Sequence, residues 1–378
     1  MRLLTTKYKS KDVLSKREAL MDALYNSIPV GVGREGLTKL SKEELCKVLM
    51  EGAKWALSKG YCTKDDLLRT EEEGCIEGAD VKAVSDRAIK RGLKQLGTLG
   101  SGNHFLEIQK VDKIYDKKVA KAFGITGEDQ VVLMVHSGSR GLGHQVASDY
   151  IRKMEEEYGY EHLPDRELAC APVKSKLGED YYKAMCCAIN FAFCNRQMMA
   201  HRIREAFAKE MGCLPEDIKQ IYDVCHNLAK YEEHMVDGKK KMLCVHRKGA
   251  TRSFGPGREE VPDCYKEVGQ PVLIPGSMGT ASFLLVGTEE AEELSFGSTV
   301  HGAGRVMSRH AAINSTTGEQ VKKKLQAKDI HIKERSMKGL AEEAPEAYKD
   351  VDEVVRVSDG AGLGKLVARL IPLAVMKG

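Results

Sequence analysis

Four histidines stand in contexts where chemistry is readily built: His104 in GSGNHFLEIQ, His136 in VVLMVHSGSRGLGH, His226 in YDVCHNLAK and His301 in TVHGAGR. The first three each sit where a β-like run meets glycine, asparagine or serine. Neutral imidazole is the commonest protein metal ligand, and rigid strand ends hold such ligands at fixed geometry. No H-E-x-x-H spacing commits them to one ion, so two readings stay open: a shared metal site, or hydrogen-bonded histidines at strand ends. His301 differs, standing among Gly302, Gly304 and Arg305 with no hydrophobic pattern around it. A neutral imidazole, well populated at pH 7 given an ordinary pKa near ~6.5, can attack phosphorus and form a phosphoramidate. The plain alternative is a loop histidine with structural glycines.

Glycine-rich stretches recur beside these residues: GTLGSGNH, HSGSRGLGH, PGSMGTASF and HGAGR. Glycine lets backbone N–H groups converge on an anion, which suits phosphate, although ordinary turns would use it too. None is a G-x-x-x-x-G-K-[ST] loop. The segment DGKKKMLCVHRKGATR gathers Lys239, Lys240, Lys241, Arg247, Lys248 and Arg252. Asp237-Gly238 is a good hairpin turn, so its three lysines are read as solvated. Arg247, Lys248 and Arg252, with Arg140 and Arg305, are candidates for an anionic groove, because arginine favours bidentate phosphate contact.

The elements that must position these residues are short β-rich runs: HFLEIQKV, QVVLMVH, QIYDVCH, KMLCVH, PVLIPG, SFLLVG and LIPLAVM. Helical patterns cover SKEELCKVLMEGAKWALSKG, with a capping box from Ser41 to Glu44, the region around GLGHQVASDYIRKMEEEYG, and Asp180 to Met211. The strands show no regular βα alternation, so an α+β fold is expected, as one large mixed domain over residues 1–378. The chain is 42% hydrophobic and 30% charged with a net charge of +4, too small to argue for nucleic acid or membrane by itself. Eleven scattered cysteines with no C-x-x-C pair read as reduced thiols and point to a cytoplasmic protein. No signal-peptide pattern and no membrane-length apolar run is seen.

Taken in order, LGTLGSGNHFLEIQ, VHSGSRGLGHQVA, DVCHNLAKYEEH, VHRKGATRSF, GQPVLIPGSMGTASF, TVHGAGRVMSR and EEAPEAYKD resemble the RtcB family of RNA-splicing ligases across essentially the whole chain. The resemblance implies joining of RNA 3′-phosphate or 2′,3′-cyclic phosphate ends to 5′-hydroxyl ends with GTP and Mn²⁺, as in tRNA splicing or RNA repair. It implies that His301 is the nucleophile that carries GMP, and that His104, His136 and His226 bind metal. Guanine-nucleotide contacts would come from Asn103, His104, Phe105, Leu106, Glu107, His226, Asn227, Pro275, Gly276, Ser277, Met278, Ser282, His301, Gly302, Ala303, Gly304 and Lys377, with Tyr348 stacking near the guanine. Arg140, Lys248 and Arg252 are the candidates for RNA phosphate. The expected partners are RNA (tRNA halves or broken ends) and the activating protein archease. The metal identity rests on the resemblance, since histidine-rich ligation alone suggests Zn²⁺.

One departure sets a further expectation. In the family, the segment resembling RLLTT follows an Asp-x-x-Cys-Gly stretch whose aspartate and cysteine also bind metal, whereas this chain begins at Met1 in MRLLTT. The chain is therefore expected to be truncated at its N-terminus, to hold metal weakly and to ligate poorly. Cys225 is not an evident replacement, since in a strand it would point away from His226. Two other readings remain: a non-catalytic RNA-binding relic, and a metal-dependent RNA end phosphatase or cyclic phosphodiesterase.

Overall fold

In the computed structural model, which describes residues 1–31, 33, 36 and 39–378, the β-rich runs pair into two sheets. Along the chain the strands are β1 (Arg2–Lys9), β2 (Phe105–Ile114), β3 (Gln130–His136), β4 (Lys219–Asp223), β5 (His226–Val236), β6 (Lys239–Arg252), β7 (Pro271–Ile274), β8 (Ser282–Val286), β9 (Ser298–Val300), β10 (His331–Glu334) and β11 (Lys365–Lys377). The larger sheet runs β4-β1-β3-β2-β11-β8-β7, with β10 added parallel to β11 and every other pairing antiparallel. The smaller sheet is β5-β6-β9. The α+β expectation holds.

Strand parity sorts the large sheet into two apolar faces. Leu4, Leu106, Ile108, Val131, Leu133 and Val135 pack with Leu20 and Leu24 of the helix Arg17–Ser27 and with Met199, Ile203 and Phe207 of the helix Lys176–Met211. Leu3, Phe105, Val132 and Met134 pack on the other face with Phe254, Tyr265, Leu284 and Leu370. The run RLLTTKYK of β1 carries no alternation because Arg2 to Thr6 are all buried between β3 and β4. That is why it is absent from the runs read as strands.

The long helix Lys176–Met211 is capped by Ser175, whose hydroxyl accepts from Gly178 N, and ends at Gly212 in the left-handed region. Its middle is buried on all sides rather than amphipathic, and the polar residues there serve neighbouring loops. Asn195 Oδ1 accepts from Gly97 N at 2.8 Å and Thr98 N at 3.1 Å, while its amide donates to Thr98 O and Gly138 O at 3.1 and 3.2 Å. The capping box at Ser41 and Glu44 forms, but the helix breaks at Gly52. There φ is +57°, and a side chain would sit 2.1 Å from Gly74 O.

The β5–β6 hairpin turns at Asp237-Gly238, both with positive φ, as a two-residue turn requires. Lys239, Lys240 and Lys241 are exposed there, as read from the sequence. The inner side of this hairpin is charged. Lys230 Nζ lies 2.8 Å from both Glu71 Oε1 and Glu72 Oε1, and Arg252 Nη1 lies 2.9 Å from Glu72 Oε1. Arg247 forms a two-pronged pair with Glu232 at 2.7 and 2.8 Å.

Lys230, against the opposing cost of burial and with help from Arg252, holds the Glu72 carboxyl at about 2 instead of 4.5. A depressed carboxylate contributes stability that is present above its unfolded value and lost as pH falls through the folded one. The difference is at most about 3 kcal/mol. It comes to roughly 2 kcal/mol once partial exposure is discounted, the side chain being 31% accessible. Glu72→Gln is therefore expected to lower stability by about 2 kcal/mol at pH 7 and to flatten the loss of stability between about pH 4.5 and 2, read by urea unfolding at each pH.

Candidate functional site

Sheet register brings the four histidines together. His104 immediately precedes β2 and His136 ends β3, and Phe105 is the residue opposite His136. His226 opens β5 opposite Thr251, and Thr251 lies opposite Thr299 on β9, so the chain leaves β9 at His301 beside His226. The rings follow in series, with centroids 5.8 Å apart from His104 to His136, 5.1 Å to His226 and 4.9 Å to His301. A cavity of about 550 Å³ reaches His104, His136 and His226, with Arg91, Gln95, Arg140 and Arg196 in its wall. A smaller pocket is lined by Asn103, His136, Pro275, Gly276, Ser277, His301, Gly302, Ala303 and Tyr348. His136 borders both.

Burial pushes all four imidazoles toward the neutral form. His104 falls to about 3, with Arg140 and Lys377 adding to the effect of burial. His136 and His226 lie well below the ordinary value, through burial and then neighbouring charges and rings. His301 is lowered by burial and by Lys248, against an opposing hydrogen bond to the Gly249 backbone. Its Nδ1 is buried with no hydrogen-bond partner. Neutral rings keep the lone pairs that ligation and nucleophilic attack require.

The Nε2 atoms of His136 and His226 face each other at 3.3 Å. With metal–nitrogen bonds of about 2.1 Å, that separation subtends roughly 100° at a shared ion, between tetrahedral and octahedral angles. This pair therefore fits a divalent cation. His104 in this arrangement accepts a hydrogen bond at Nδ1 from Arg140 Nη1 at 3.0 Å. Its proton then sits on Nε2, and the ring can ligate only once Arg140 releases it. Among the described residues no three His, Cys, Asp or Glu side chains close into a ligand set as they stand.

Beneath the rings lies a buried ionic cluster. Asp223 receives Arg2 Nε at 2.6 Å and Arg196 Nη2 at 2.6 Å, and Arg196 also donates to Ser137 O, next to His136, at 3.1 Å. Burial alone would push Asp223 up, but Arg196 and Arg2 more than offset it and keep it ionised. Arg2 also donates to Gln197 Oε1. Cys225 lies between β4 and β5, lines the same cavity as His226, and meets Arg196 Nη2 at 3.4 Å through Sγ. The strand-parity reason for setting it aside does not apply, yet burial raises its thiol pKa and Arg196 occupies its sulfur.

The residues expected at the nucleotide divide into two groups. Asn103, Pro275, Gly276, Ser277, His301, Gly302, Ala303 and Tyr348 share the smaller pocket. Ser282 braces it, its hydroxyl accepting from Gly276 N at 3.1 Å and from Gln109 Nε2 at 2.9 Å. Glu107 and Lys377 fall on one face of the sheet, where β11 pairs with β2; burial moves the carboxyl up to about 8 and the ammonium down to about 8. Asn227, at positive φ, accepts from Gly249 N at 3.1 Å. The side chains of Phe105, Leu106 and Met278 are packed into apolar cores, so only their backbones are free to meet a ligand. Gly302 has φ +153°, and a side chain there would stand 3.3 Å from Pro275 O, whereas Gly304 has open space before it.

Of the residues expected at RNA phosphate, Arg140 lines the cavity and Lys248 is exposed near His301. Arg252 does not fit that expectation: it is 1% exposed and paired with Glu71 and Glu72. Arg247 is internal for the same reason, paired with Glu232. Arg91, Gln95 and Arg196 line the cavity and went unread in the sequence. Arg196, inside the apolar run of the long helix, offered a signal, since a buried arginine needs a partner. Glu343 is buried and accepts from Tyr348 Oη, from Arg305 Nη1 at 3.2 Å and from Arg309 Nε at 3.3 Å.

A family profile described as "tRNA-splicing ligase RtcB" matches residues 1–378. Proteins named tRNA-splicing ligase RtcB are 55% identical in Archaeoglobus fulgidus, 53% in Pyrococcus abyssi and 49% in Methanococcus maripaludis. Each alignment covers 100% of this chain, and 79%, 42% and 79% of those proteins respectively.

If His136 and His226 are joint ligands, His226→Ala weakens binding of Co²⁺, a spectroscopically visible first-row cation, by about tenfold or more. The visible absorption of bound Co²⁺, titrated against parent and variant, checks this. Equal affinities with identical spectra would show that the ring is no ligand.

Proposed function

Since this chain belongs to the RtcB family, we propose that it is a GTP-dependent RNA ligase that joins an RNA 3′-phosphate or 2′,3′-cyclic phosphate end to a 5′-hydroxyl end, in tRNA splicing or RNA repair. The observation that carries this reading is His301: a neutral imidazole with an unpartnered ring nitrogen, set in a pocket rimmed by glycines and Tyr348. Such a ring has few uses in a core.

In the first step an imidazole nitrogen of His301 attacks the α-phosphorus of GTP. The N–P bond forms, the bond to the β-phosphate oxygen breaks, and pyrophosphate leaves. In the second, an oxygen of the RNA 3′-phosphate attacks the same phosphorus, the N–P bond breaks, and His301 is restored. The RNA end now carries GMP in anhydride linkage. In the third, the 5′-hydroxyl of the other strand attacks the RNA phosphorus, loses its proton to the surroundings and expels GMP as the phosphodiester forms. A cyclic end enters this sequence once water has opened it.

The chain's own groups support each step. Tyr348, held by Glu343 and Arg305, borders the pocket as a surface for a purine ring. The Pro275–Ser277 loop and Gly302 offer backbone close to the nucleotide, and Arg140 stands in the adjoining cavity for a phosphate of the second strand. A divalent cation, Mn²⁺ on the family resemblance, held by His136 and His226 with His104 as third donor, would draw charge from phosphate oxygens. Archease as activating partner and the cytoplasm as compartment belong to the same reading.

Incubation with α-labelled GTP and Mn²⁺ tests the reading. Acid-labile label on the parent, absent from His301→Ala, is the expected outcome. Loss of terminal phosphate from RNA without GTP would instead favour a phosphatase, and RNA binding with no label at all a non-catalytic protein.

A further inference from the structure

Six arginines of this chain are spent internally. Arg2, Arg196, Arg204, Arg247, Arg252 and Arg305 all pair with buried or half-buried carboxylates. Two exposed cations stand apart from these. Arg335 and Lys338 are exposed, form no ion pair among the described residues, and line one concavity of about 580 Å³ together with Arg309, Ser101, Gly102 and Glu342. Three cationic side chains there, Arg309 among them paired with Glu343, meet Glu342 and the carboxylate of Gly378.

This concavity is built rather than incidental. The Arg335 stem lies across Gly31, where any side chain would come within 2.5 Å of its Cδ, and its backbone N–H donates to Lys377 O at 3.2 Å. Arg309 is steered by buried Glu343, the carboxylate that also holds Arg305 and Tyr348 at the nucleotide pocket. Gly102, at φ +67°, turns the loop between this concavity and Asn103 of that pocket. The cavity containing Arg91 and Arg140 also borders on Ser101. Two cationic concavities thus adjoin one loop beside the histidines.

We propose that Arg309, Arg335 and Lys338 form a groove for the sugar–phosphate backbone of one of the two RNA strands, the Arg140 cavity serving the other. The proposal rests on the ligase reading and adds a place for the substrate. Arginine and lysine on an open groove neutralise successive phosphates without reading sequence, so binding there is electrostatic and salt-dependent. Ligation needs two polyanions held end to end, and two cationic concavities beside one loop match that need.

The test uses the full chain, a dye-labelled single-stranded RNA ending in a 3′-phosphate, and a second RNA with a 5′-hydroxyl. Anisotropy titrations across a salt series compare the parent with Arg335→Ala/Lys338→Ala and with the charge reversal Arg335→Glu, alongside labelling by GTP. For the double variant, affinity for one of the two RNAs is expected to fall about tenfold. The slope of log affinity against log salt should shrink by about 1.4, two phosphate contacts at roughly 0.7 each for single strands. The charge reversal should cost more affinity, with unaltered melting temperature and unaltered GTP labelling. Unchanged affinity and slope in a protein that still takes label would overturn the groove and leave the ligase reading standing. Weaker labelling with intact RNA binding would overturn it too, by assigning the groove to the nucleotide's polyphosphate. Loss of RNA affinity in a protein that never takes label would keep the groove and sink the ligase reading.

Discussion

Four imidazole rings in series, 5.8, 5.1 and 4.9 Å apart, keep that arrangement only while they are uncharged. Two adjacent imidazolium ions at such distances would repel strongly in a site largely removed from bulk water. Burial and the nearby Arg140, Lys377 and Lys248 all press the same way. The site therefore holds a row of lone pairs, which suits a cation, an electrophilic phosphorus, or both. Its glycine loops, cationic walls and strand ends fit the proposed role of presenting anions to that row.

Neutral rings in a cationic setting need a firm base, and the Asp223 cluster supplies it. Arg2 comes from β1, Asp223 ends β4 and Arg196 rises from the long helix, so three distant segments meet at one carboxylate. Arg196 then passes the constraint on to Ser137 O and to Cys225, the neighbours of His136 and His226. Asn195, one residue earlier, pins Thr98 and Gly138. A buried pair of this kind adds little net stability compared with apolar packing, but breaking one partner leaves an uncompensated charge. Its value here is positional.

Much of this was legible in the sequence because local signals and the fold agree. The runs HFLEIQKV and QVVLMVH became β2 and β3, QIYDVCH became β4, which stops short of His226, KMLCVH lies within β6, and the glycine-rich HGAGR follows β9; β5, which His226 opens, was not among the runs read as strands. The Asp237-Gly238 turn and the Ser41–Glu44 capping box formed where turn and cap chemistry placed them. What failed was long-range. Nothing around Arg252 announces Glu71 and Glu72, some 180 residues earlier, so a buried ion pair reads as a free basic residue. β1 was missed because burial on both faces erases alternation. The long helix carries Asn190, Asn195, Arg196 and Gln197 on different sides of its buried middle, polar residues whose distant partners no local pattern announces. The family resemblance carried what pattern could not: the likeness of Tyr348, Ser282 and Lys377 to nucleotide-site residues far apart in the chain.

The most direct measurement is ¹⁵N NMR of the metal-free chain labelled at its histidine rings, near pH 6, below the ordinary histidine value of about 6.5. Ring-nitrogen shifts report neutral and cationic imidazole separately, and single His→Ala variants assign them. The account requires His104, His136, His226 and His301 all to be neutral under those conditions. A cationic signal from any of the four would contradict it, because the row of lone pairs on which the proposed metal binding and nucleophilic attack depend would be broken.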